Sequence, residues 1–320
     1  MNHLVEISRN LIETCLGIKE KEEVVIVTDE EKRPLAEALY QAAQKLGAET
    51  VLMQMKEREK SGQEPPFAIA EAMKQADVAI CITKHSLTHT KARKVAAAHG
   101  TRVATMPGIT EDMFTDGAIA ADYTEVKKLT ETVTEILTRG KQVRIEKDGH
   151  VLQFSIENRY GVPSTGMYLE AGQSGNLPSG EAYIAPVEGS ANGQIIVDGS
   201  IAGIGMVDEP HLLTVKDGRL VEVTGPVAAK LLATLGDQDG RQLAEFGIGT
   251  NHKARIIGIV LEDEKAFGTI HLAFGSNITF GGTIEAGVHI DLIVNKPDVF
   301  IDDVKILEKG SFIFSRATCS

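Results

Sequence analysis

Residues 24–53 read VVIVTDEEKRPLAEALYQAAQKLGAETVLM, and this stretch decides the fold of the first half of the chain. It opens at residues 24–27 with a wholly apolar run, which is typical of a strand buried on both faces. A helical pattern follows, with Pro34 in its first turn and Gly47 where the helix would end. The apolar run at residues 50–53 indicates a second strand. The stretch therefore predicts a strand–helix–strand unit of a parallel sheet.

The same alternation continues on both sides of this stretch. An amphipathic helical pattern at residues 4–16 precedes it, and strand patterns at residues 78–82 and 103–105 alternate with helical patterns after it. A last helical pattern spans residues 125–139. We therefore predict an α/β domain at residues 1–140 with a Rossmann-like, doubly wound parallel sheet.

The remainder of the chain has a different texture, with short apolar or alternating runs separated by Gly, Asp and Asn. Residues 216–219, KDGR, are typical of a β-hairpin turn. One helical pattern intervenes at residues 227–235, and an alternating strand pattern covers residues 288–294. We therefore predict a β-rich α+β domain at residues 141–320.

Charge and motif content exclude several classes of function. The chain has 320 residues, and its 33 Lys and Arg against 45 Asp and Glu give a formal net charge of −12. This balance argues against nucleic acid and membrane partners, because both attract basic surfaces. Neither a GxGxxG sequence after the first strand nor a P-loop is present, so we expect no standard dinucleotide or ATP site.

The location of the protein is predicted from its N-terminal residues and its cysteines. Charged residues interrupt the N-terminal segment, so the apolar core of a signal peptide is missing. The 3 cysteines, Cys15, Cys81 and Cys319, form no CxxC pair. We therefore expect a cytoplasmic protein with reduced thiols.

Candidate metal ligands lie in the second half of the chain. His289 and Asp291 alternate in the strand pattern VHIDLIV, so both side chains point to one face, about 7 Å apart at Cα. His271, Glu181 and Glu245 each adjoin apolar residues, and burial of unpaired charged groups is costly unless a cation compensates it. The alternative is that the His–Asp pair faces solvent. We predict that His271, His289 and Asp291 meet at one metal site.

Four segments carry a resemblance to known families. They are NLPSGEAYIAP (residues 176–186), QLAEFGIGTN (242–251), EDEKAFGTIHLAFG (262–275) and VHIDLIV (288–294). In this order they resemble the aminopeptidase T/aminopeptidase S family of leucyl aminopeptidase-like metallo-aminopeptidases. They also resemble a related group, the iron-dependent 2,5-dihydroxypyridine 5,6-dioxygenases.

The aminopeptidase resemblance implies a two-metal site built from two Glu, two His, one Asp and one Tyr. The matching metal ligands here are Glu181, Glu245, His271, His289 and Asp291. The tyrosine position is Ile278 in this chain. In this interpretation the ions activate a water for attack on the first peptide carbonyl, and Glu181 or Glu245 acts as the catalytic base.

The dioxygenase resemblance implies a different use of the same residues. One iron ion would be held by His271, His289 and Asp291, with open positions for an aromatic diol and oxygen. A third hypothesis is a metal-free binding module.

Our main prediction is a metal-dependent aminopeptidase that hydrolyses N-terminal residues from peptides. The alternative is a ring-cleaving dioxygenase acting on a dihydroxypyridine-like aromatic. Both imply a divalent metal cofactor (Zn, Co or Fe), a small peptide or small-molecule substrate, and a catalytic domain at residues 141–320. We also expect a homo-oligomer such as a dimer.

Candidate substrate-binding residues lie in TKHSLTHTKAR, residues 83–93. This segment follows a predicted strand, and ligands of open α/β sheets bind at the carboxyl ends of strands. The residues that offer donors and a cation are His85, His89, Thr90 and Arg93. The alternative is a solvated helix start, with Thr88 or Thr90 as the N-cap.

Overall fold

The computed structural model describes residues 3–313. The helices are α1 (His3–Leu16), α2 (Arg33–Lys45), α3 (Phe67–Gln75), α4 (Lys91–Ala98), α5 (Glu111–Thr115), α6 (Tyr123–Arg139), α7 (Ala228–Leu235) and α8 (Val260–Asp263). The strands of the first half are β1 (Glu23–Thr28), β2 (Glu49–Gln54), β3 (Val78–Ile82), β4 (Arg102–Thr105), β5 (Gln142–Lys147) and β6 (His150–Ser155).

The later strands continue through the second half of the chain. They are β7 (Val162–Ser164), β8 (Ser174–Asn176), β9 (Glu181–Ile184), β10 (Asn192–Val197), β11 (Ser200–Ile201), β12 (Gly205–Met206), β13 (His211–Lys216), β14 (Arg219–Val223), β15 (Leu243–Gly249), β16 (Ile270–Gly275), β17 (His289–Val294), β18 (Asp298–Ile301), β19 (Val304–Glu308) and β20 (Ser311–Phe312). No helix among residues 3–313 has the length and apolar character needed to cross a membrane.

One compact unit contains the described residues up to Thr124 together with Gly166–Ser179. Its sheet has the strand order β2-β1-β3-β4-β8, and every neighbouring pair is parallel. Val25 and Val27 of β1 pack in one apolar cluster with residues of α3 and α4, and Val24 of the same strand is equally buried. Both faces of β1 are therefore covered, and the predicted α/β class with a parallel sheet is confirmed.

The strand–helix–strand unit predicted from residues 24–53 is formed by β1, α2 and β2, with β1 and β2 paired in parallel. Pro34 lies in the first turn of α2, where its missing N–H leaves no helical hydrogen bond unmade. Gly47 follows the helix with a φ of +84°, a conformation that favours glycine. The doubly wound arrangement of the helices stays a prediction.

The second unit contains Glu125–Thr165 and the described residues from Gly180 onward. It has two antiparallel sheets, with the orders β14-β13-β10-β6-β5-β18-β19-β20 and β12-β11-β17-β16-β15-β9-β7. Asp217 and Gly218, both at positive φ, form the turn of the predicted β13–β14 hairpin. The predicted β-rich character of this part of the chain is confirmed.

The two units are divided differently from the expected boundary at residue 140. Helix α6 belongs to the second unit from Glu125 on, because Val133 and Leu137 pack into the core shared by its two sheets. Gly166–Ser179 belongs to the first unit, because β8 pairs with β4. Strand β8 reads Ser-Gly-Asn, so it carries no apolar pattern from which this return could be predicted.

Candidate metal centre

The seven-stranded sheet has two chemically different faces. One face packs into the apolar core through Ile184, Phe246, Ile248, Leu272, Phe274, Leu292 and Val294. Residues that alternate with these point to the opposite face. That opposite face carries Glu181, Glu245, His271, His289 and Asp291. The regular alternation of β9, β15, β16 and β17 thus gathers all five predicted metal ligands on one surface.

The pairing register sets the ligands beside small residues. Glu245 of β15 lies opposite Ala273 of β16, which lies opposite Asp291 of β17. His271 lies opposite Gly247. A Cβ atom on Gly247 would lie 2.0 Å from Nε2 of His271, so only glycine leaves room for this imidazole. The glycine in QLAEFGIGTN is therefore part of the site.

Two histidines converge on the two oxygens of one carboxylate. Nε2 of His271 lies 3.2 Å from Oε1 of Glu245, and Nε2 of His289 lies 3.3 Å from Oε2 of Glu245. Nε2 of His271 also lies 3.4 Å from Oε2 of Glu181, and Nε2 of His289 lies 3.5 Å from Oδ1 of Asp291. The structure therefore brings together every residue that the sequence predicted to bind metal.

The orientation of His289 is set by its other ring nitrogen. Nδ1 of His289 lies 2.8 Å from the carbonyl oxygen of Ser276 and donates its proton to it. Such a bond fixes the tautomer and leaves Nε2 as the nitrogen that a metal can take. This Nε2 is the atom that faces Glu245 and Asp291.

The donor set fits a divalent metal ion. Within residues 3–313, Oε2 of Glu181 and Nδ1 of His271 are buried and make no hydrogen bond. In the described part of the chain, two groups of side chains offer ligand atoms within 4.8 Å of one another, namely Glu245, His271 and Asp291, and Glu181, Glu264 and His271. Crowded, buried imidazole and carboxylate groups need a cation for compensation, and they are preferred ligands of first-row metals.

The ionisation of these groups is strongly coupled to their neighbours. Burial opposes the charge of Glu245, but hydrogen bonds with His271 and His289 outweigh burial and lower the pKa of Glu245 to about 2. Burial also disfavours the charged imidazole, yet Glu245 raises the pKa of His271 to about 9, and Asp291 and Glu245 raise the pKa of His289 to about 12. A metal that binds these imidazoles must therefore displace protons.

Comparison with known proteins identifies the family. A sequence model described as NicX, 2,5-dihydroxypyridine 5,6-dioxygenase, matches residues 3–314. The chain belongs to this family. A search of curated proteins found no match.

Solved structures show the same fold. The chain is similar to the 2,5-dihydroxypyridine dioxygenase from Pseudomonas putida KT2440, with a TM-score of 0.80 and 17% identity over 98% of this chain and 97% of that chain. It is also similar to AmpT from Thermus thermophilus, with a TM-score of 0.73 and 17% identity over 98% of this chain and 99% of that chain. The predicted resemblance to the dioxygenase family is thus confirmed. The expected divalent-metal cofactor agrees with the ligand residues of the site.

Two further charged residues of the site were not predicted. Lys265 is buried, and its Nζ lies 2.8 Å from Oε1 of Glu181 and also donates to Oε1 of Glu264. Burial raises the pKa of Glu264, the charges of Glu181 and Asp291 raise it further, and the ammonium of Lys265 opposes the shift. Both residues lie inside the segment EDEKAFGTIHLAFG, whose resemblance could have drawn attention to them.

An aromatic pair next to the ligands was also not predicted. The ring of Phe280 lies edge-on to Tyr183, with centroids 5.5 Å apart, and edge-on to His289, with centroids 6.0 Å apart. Phe280 belongs to the connection between β16 and β17, which Glu188 holds through Nδ2 of Asn277 at 3.0 Å. The aromatic rings therefore border the imidazole that the metal would use.

The predicted substrate-binding segment lies in the first unit, at the start of α4. Thr90 is the N-cap of α4 and accepts a hydrogen bond from the Arg93 N–H at 3.2 Å. Arg93 donates from Nε to the carbonyl oxygen of Thr88 at 2.7 Å and from Nη1 to Oγ of Ser174 at 2.9 Å. Nε2 of His85 lies 3.8 Å from Oε1 of Glu57.

His89 of the same segment lies in the exposed turn before α4. The N-cap alternative is therefore correct for Thr90. Substrate binding by His85, His89, Thr90 and Arg93 stays a prediction.

Proposed function

We propose that this protein is a mononuclear non-haem iron dioxygenase that opens the ring of a dihydroxypyridine-like aromatic. The observation that carries the proposal is the convergence of two imidazole Nε2 atoms, from His271 and His289, beside Asp291 in a member of this dioxygenase family. Two imidazoles and one carboxylate are the ligand set of many non-haem iron oxygenases.

Each residue has a definite task in this proposal. His271, His289 and Asp291 would hold the ion, and the ion would supply open positions for the aromatic diol and for oxygen. Glu245 stays a carboxylate whose two oxygens lie 3.2 and 3.3 Å from the Nε2 atoms of His271 and His289, so it places a negative charge beside the ion. The edges of Phe280 and Tyr183 provide an apolar border that suits an aromatic substrate.

The aminopeptidase hypothesis has weaker support. The match over residues 3–314 is to the dioxygenase family, whereas the similarity to AmpT at 17% identity shows only the fold. The position of the aminopeptidase tyrosine is Ile278, which is half exposed and has no metal-binding group. We therefore favour the dioxygenase over the peptidase.

Oxygen uptake by the reconstituted protein tests the proposal directly. The chain is prepared without oxygen, loaded with Fe²⁺, and mixed with 2,5-dihydroxypyridine in an oxygen electrode while substrate absorbance is followed. We expect oxygen consumption equal to substrate loss.

A parallel sample loaded with Zn²⁺ or Co²⁺ is offered a leucyl peptide as the control reaction. The proposal would be overturned if the Zn²⁺- or Co²⁺-loaded sample hydrolyses the peptide and the iron-loaded sample takes up no oxygen. We also propose a small-molecule substrate and a homo-oligomeric state. Gel filtration with light scattering measures the oligomeric state.

A further inference from the structure

A lysine is buried beside the metal ligands. Lys265 has a relative exposure of 1%, and its ammonium lies between the carboxylates of Glu181 and Glu264. Lysine is almost never fully buried unless it is paired, because removal of its charge from water is costly. Glu264 is the neighbour of Lys265 in the sequence, but Glu181 belongs to β9. The pairing of Lys265 with Glu181 therefore depends on the folded sheet.

The ammonium lies where a second metal ion would need to bind. Glu181, Glu264 and His271 form one of the two groups whose ligand atoms lie within 4.8 Å of one another. Lys265 contacts two of these three ligands, with Nζ 2.8 Å from Oε1 of Glu181. A divalent ion at this group would compete for the same oxygens and lie within a few ångströms of a positive charge, which is strongly unfavourable in a buried site.

The other group has no such competitor. Among residues 3–313, Glu245 and Asp291 form ion pairs only with His271 and His289, and neither carboxylate is paired with a lysine or arginine. Imidazoles can give up their protons to a metal, whereas an ammonium between two carboxylates has no comparable ligand role. The two groups are therefore unequal, although both have metal-ligand chemistry.

We propose, on the basis of the metal centre in the proposed function, that Lys265 takes the place of a second metal ion and limits the site to one ion. The single ion binds at His271, His289 and Asp291, beside Glu245. Lys265 neutralises Glu181 and Glu264, which are then not ligands. Lys265 is thus the residue that decides the number of metal ions in this fold.

Removal of the charge should open the second position. Lys265→Met keeps an unbranched side chain of similar size, one atom shorter, but removes the ammonium, so Glu181 and Glu264 become free to bind a cation. Lys265→Arg keeps the charge and should keep one ion. Lys147→Met is the matched control, because Nζ of Lys147 is also largely buried and lies 2.9 Å from Oδ2 of Asp198.

The number of bound ions is measured by titration of the metal-free protein with Co²⁺, followed by dialysis and elemental analysis. We expect one ion per chain for the wild type, Lys265→Arg and Lys147→Met, and two for Lys265→Met. Two ions in the wild type, or one ion in a folded Lys265→Met, would overturn the proposal.

A second variant keeps the test decisive if Lys265→Met does not fold. Glu181→Gln removes a residue that we assign to Lys265 and not to the metal, so it should keep one ion with affinity within a few-fold of wild type. Loss of the ion in Glu181→Gln would contradict the proposal. Metal counting uses no substrate, so an incorrect substrate class would affect the oxygen-uptake experiment alone.

Discussion

The metal centre and the segment 83–93 were both selected from the sequence because polar, ligand-like residues lie beside buried strands. In the segment, Thr90 caps α4, and Arg93 donates to the Thr88 carbonyl and to Ser174. In the metal centre, the carboxylates of Glu245 and Asp291 pair, within the described residues, only with the imidazoles of His271 and His289. Polar residues beside buried strands therefore make local hydrogen bonds in the segment and pair with one another across strands in the metal centre.

The difference teaches how to separate structural polar groups from ligands of an absent partner. A buried polar group without a hydrogen bond costs about 1–3 kcal/mol, so a fold retains it only when something else compensates it. Thr90 and Arg93 at the start of α4 already have hydrogen-bond partners. The carboxylates of Glu245 and Asp291 are paired only with imidazoles among the described residues, and a metal ion can replace the protons of those imidazoles. The following changes test that contrast.

The largest effect is expected from Asp291→Asn. The amide keeps the shape of the side chain but removes the negative charge and one ligand oxygen, and the imidazoles cannot complete the coordination alone. We expect metal affinity to fall by more than the roughly 10–100-fold that loss of an outer hydrogen-bond partner costs, and activity to be lost. Elemental analysis after dialysis measures the metal.

Asp298→Asn is the control for this change, because Oδ2 of Asp298 pairs with Nζ of Lys305 at 2.9 Å on the other sheet. This variant should keep its metal. If Asp291→Asn also keeps a full complement of metal, the site does not depend on the carboxylate, and the contrast with the first unit disappears.

A smaller effect is expected from Gly247→Ala, which changes none of the ligand residues themselves. The new Cβ would lie 2.0 Å from Nε2 of His271, so the imidazole must turn away from Glu245. Gly140→Ala is the matched control, because its Cβ would lie 2.4 Å from Cγ2 of Ile301, a residue of β18 in the other antiparallel sheet. Overpacking of this kind costs roughly 1–3 kcal/mol in either variant.

Only Gly247→Ala should also weaken metal binding, by about 10-fold or more. The reason is that a displaced His271 imidazole no longer points its Nε2 at the metal position, an effect comparable to the loss of an orienting partner. Chemical unfolding measures the shared loss of stability, and a metal titration measures the specific loss. Equal metal affinity in the two variants would show that the fit between Gly247 and His271 has no part in the site.

Local periodicity was enough to predict the strand–helix–strand unit at residues 24–53 but not the grouping of the chain into its two units. The strand–helix–strand unit at residues 24–53 was predictable because its apolar runs and its Pro and Gly positions lie within a few residues of one another. The return of Gly166–Ser179 to the parallel sheet was not predictable, because β8 is held by pairing with β4 and not by its own composition.

The site shows the same division between local and long-range information. His289 and Asp291 were predictable because residues that are two positions apart in a strand point to the same face. His271 was predictable because a single histidine among apolar residues needs a partner. The role of Lys265 was hidden, because a lysine is ordinarily exposed and its carboxylate partner Glu181 lies 84 residues away. Long-range charge pairing leaves no periodic signal.

The smallest effects are expected in the segment 83–93. Thr90→Ala removes the N-cap of α4 and should lower the free energy of unfolding by about 1 kcal/mol while the metal content stays unchanged. Thr132→Ala is its control, because Thr132 is half-buried within α6, its hydroxyl donates only to the carbonyl oxygen of Lys128 among the described residues, and it caps no helix. Urea unfolding of the three proteins measures the difference.

His89→Ala tests the remaining functional prediction for this segment. If His89 binds substrate, the variant should show a higher KM or a lower kcat with full metal content and wild-type stability, because an exposed turn residue adds little to folding. Unchanged kinetics on a confirmed substrate would make the segment purely structural. If Thr90→Ala changes stability alone and His89→Ala changes turnover alone, the pair separates a helix cap from a ligand contact within one turn of the chain.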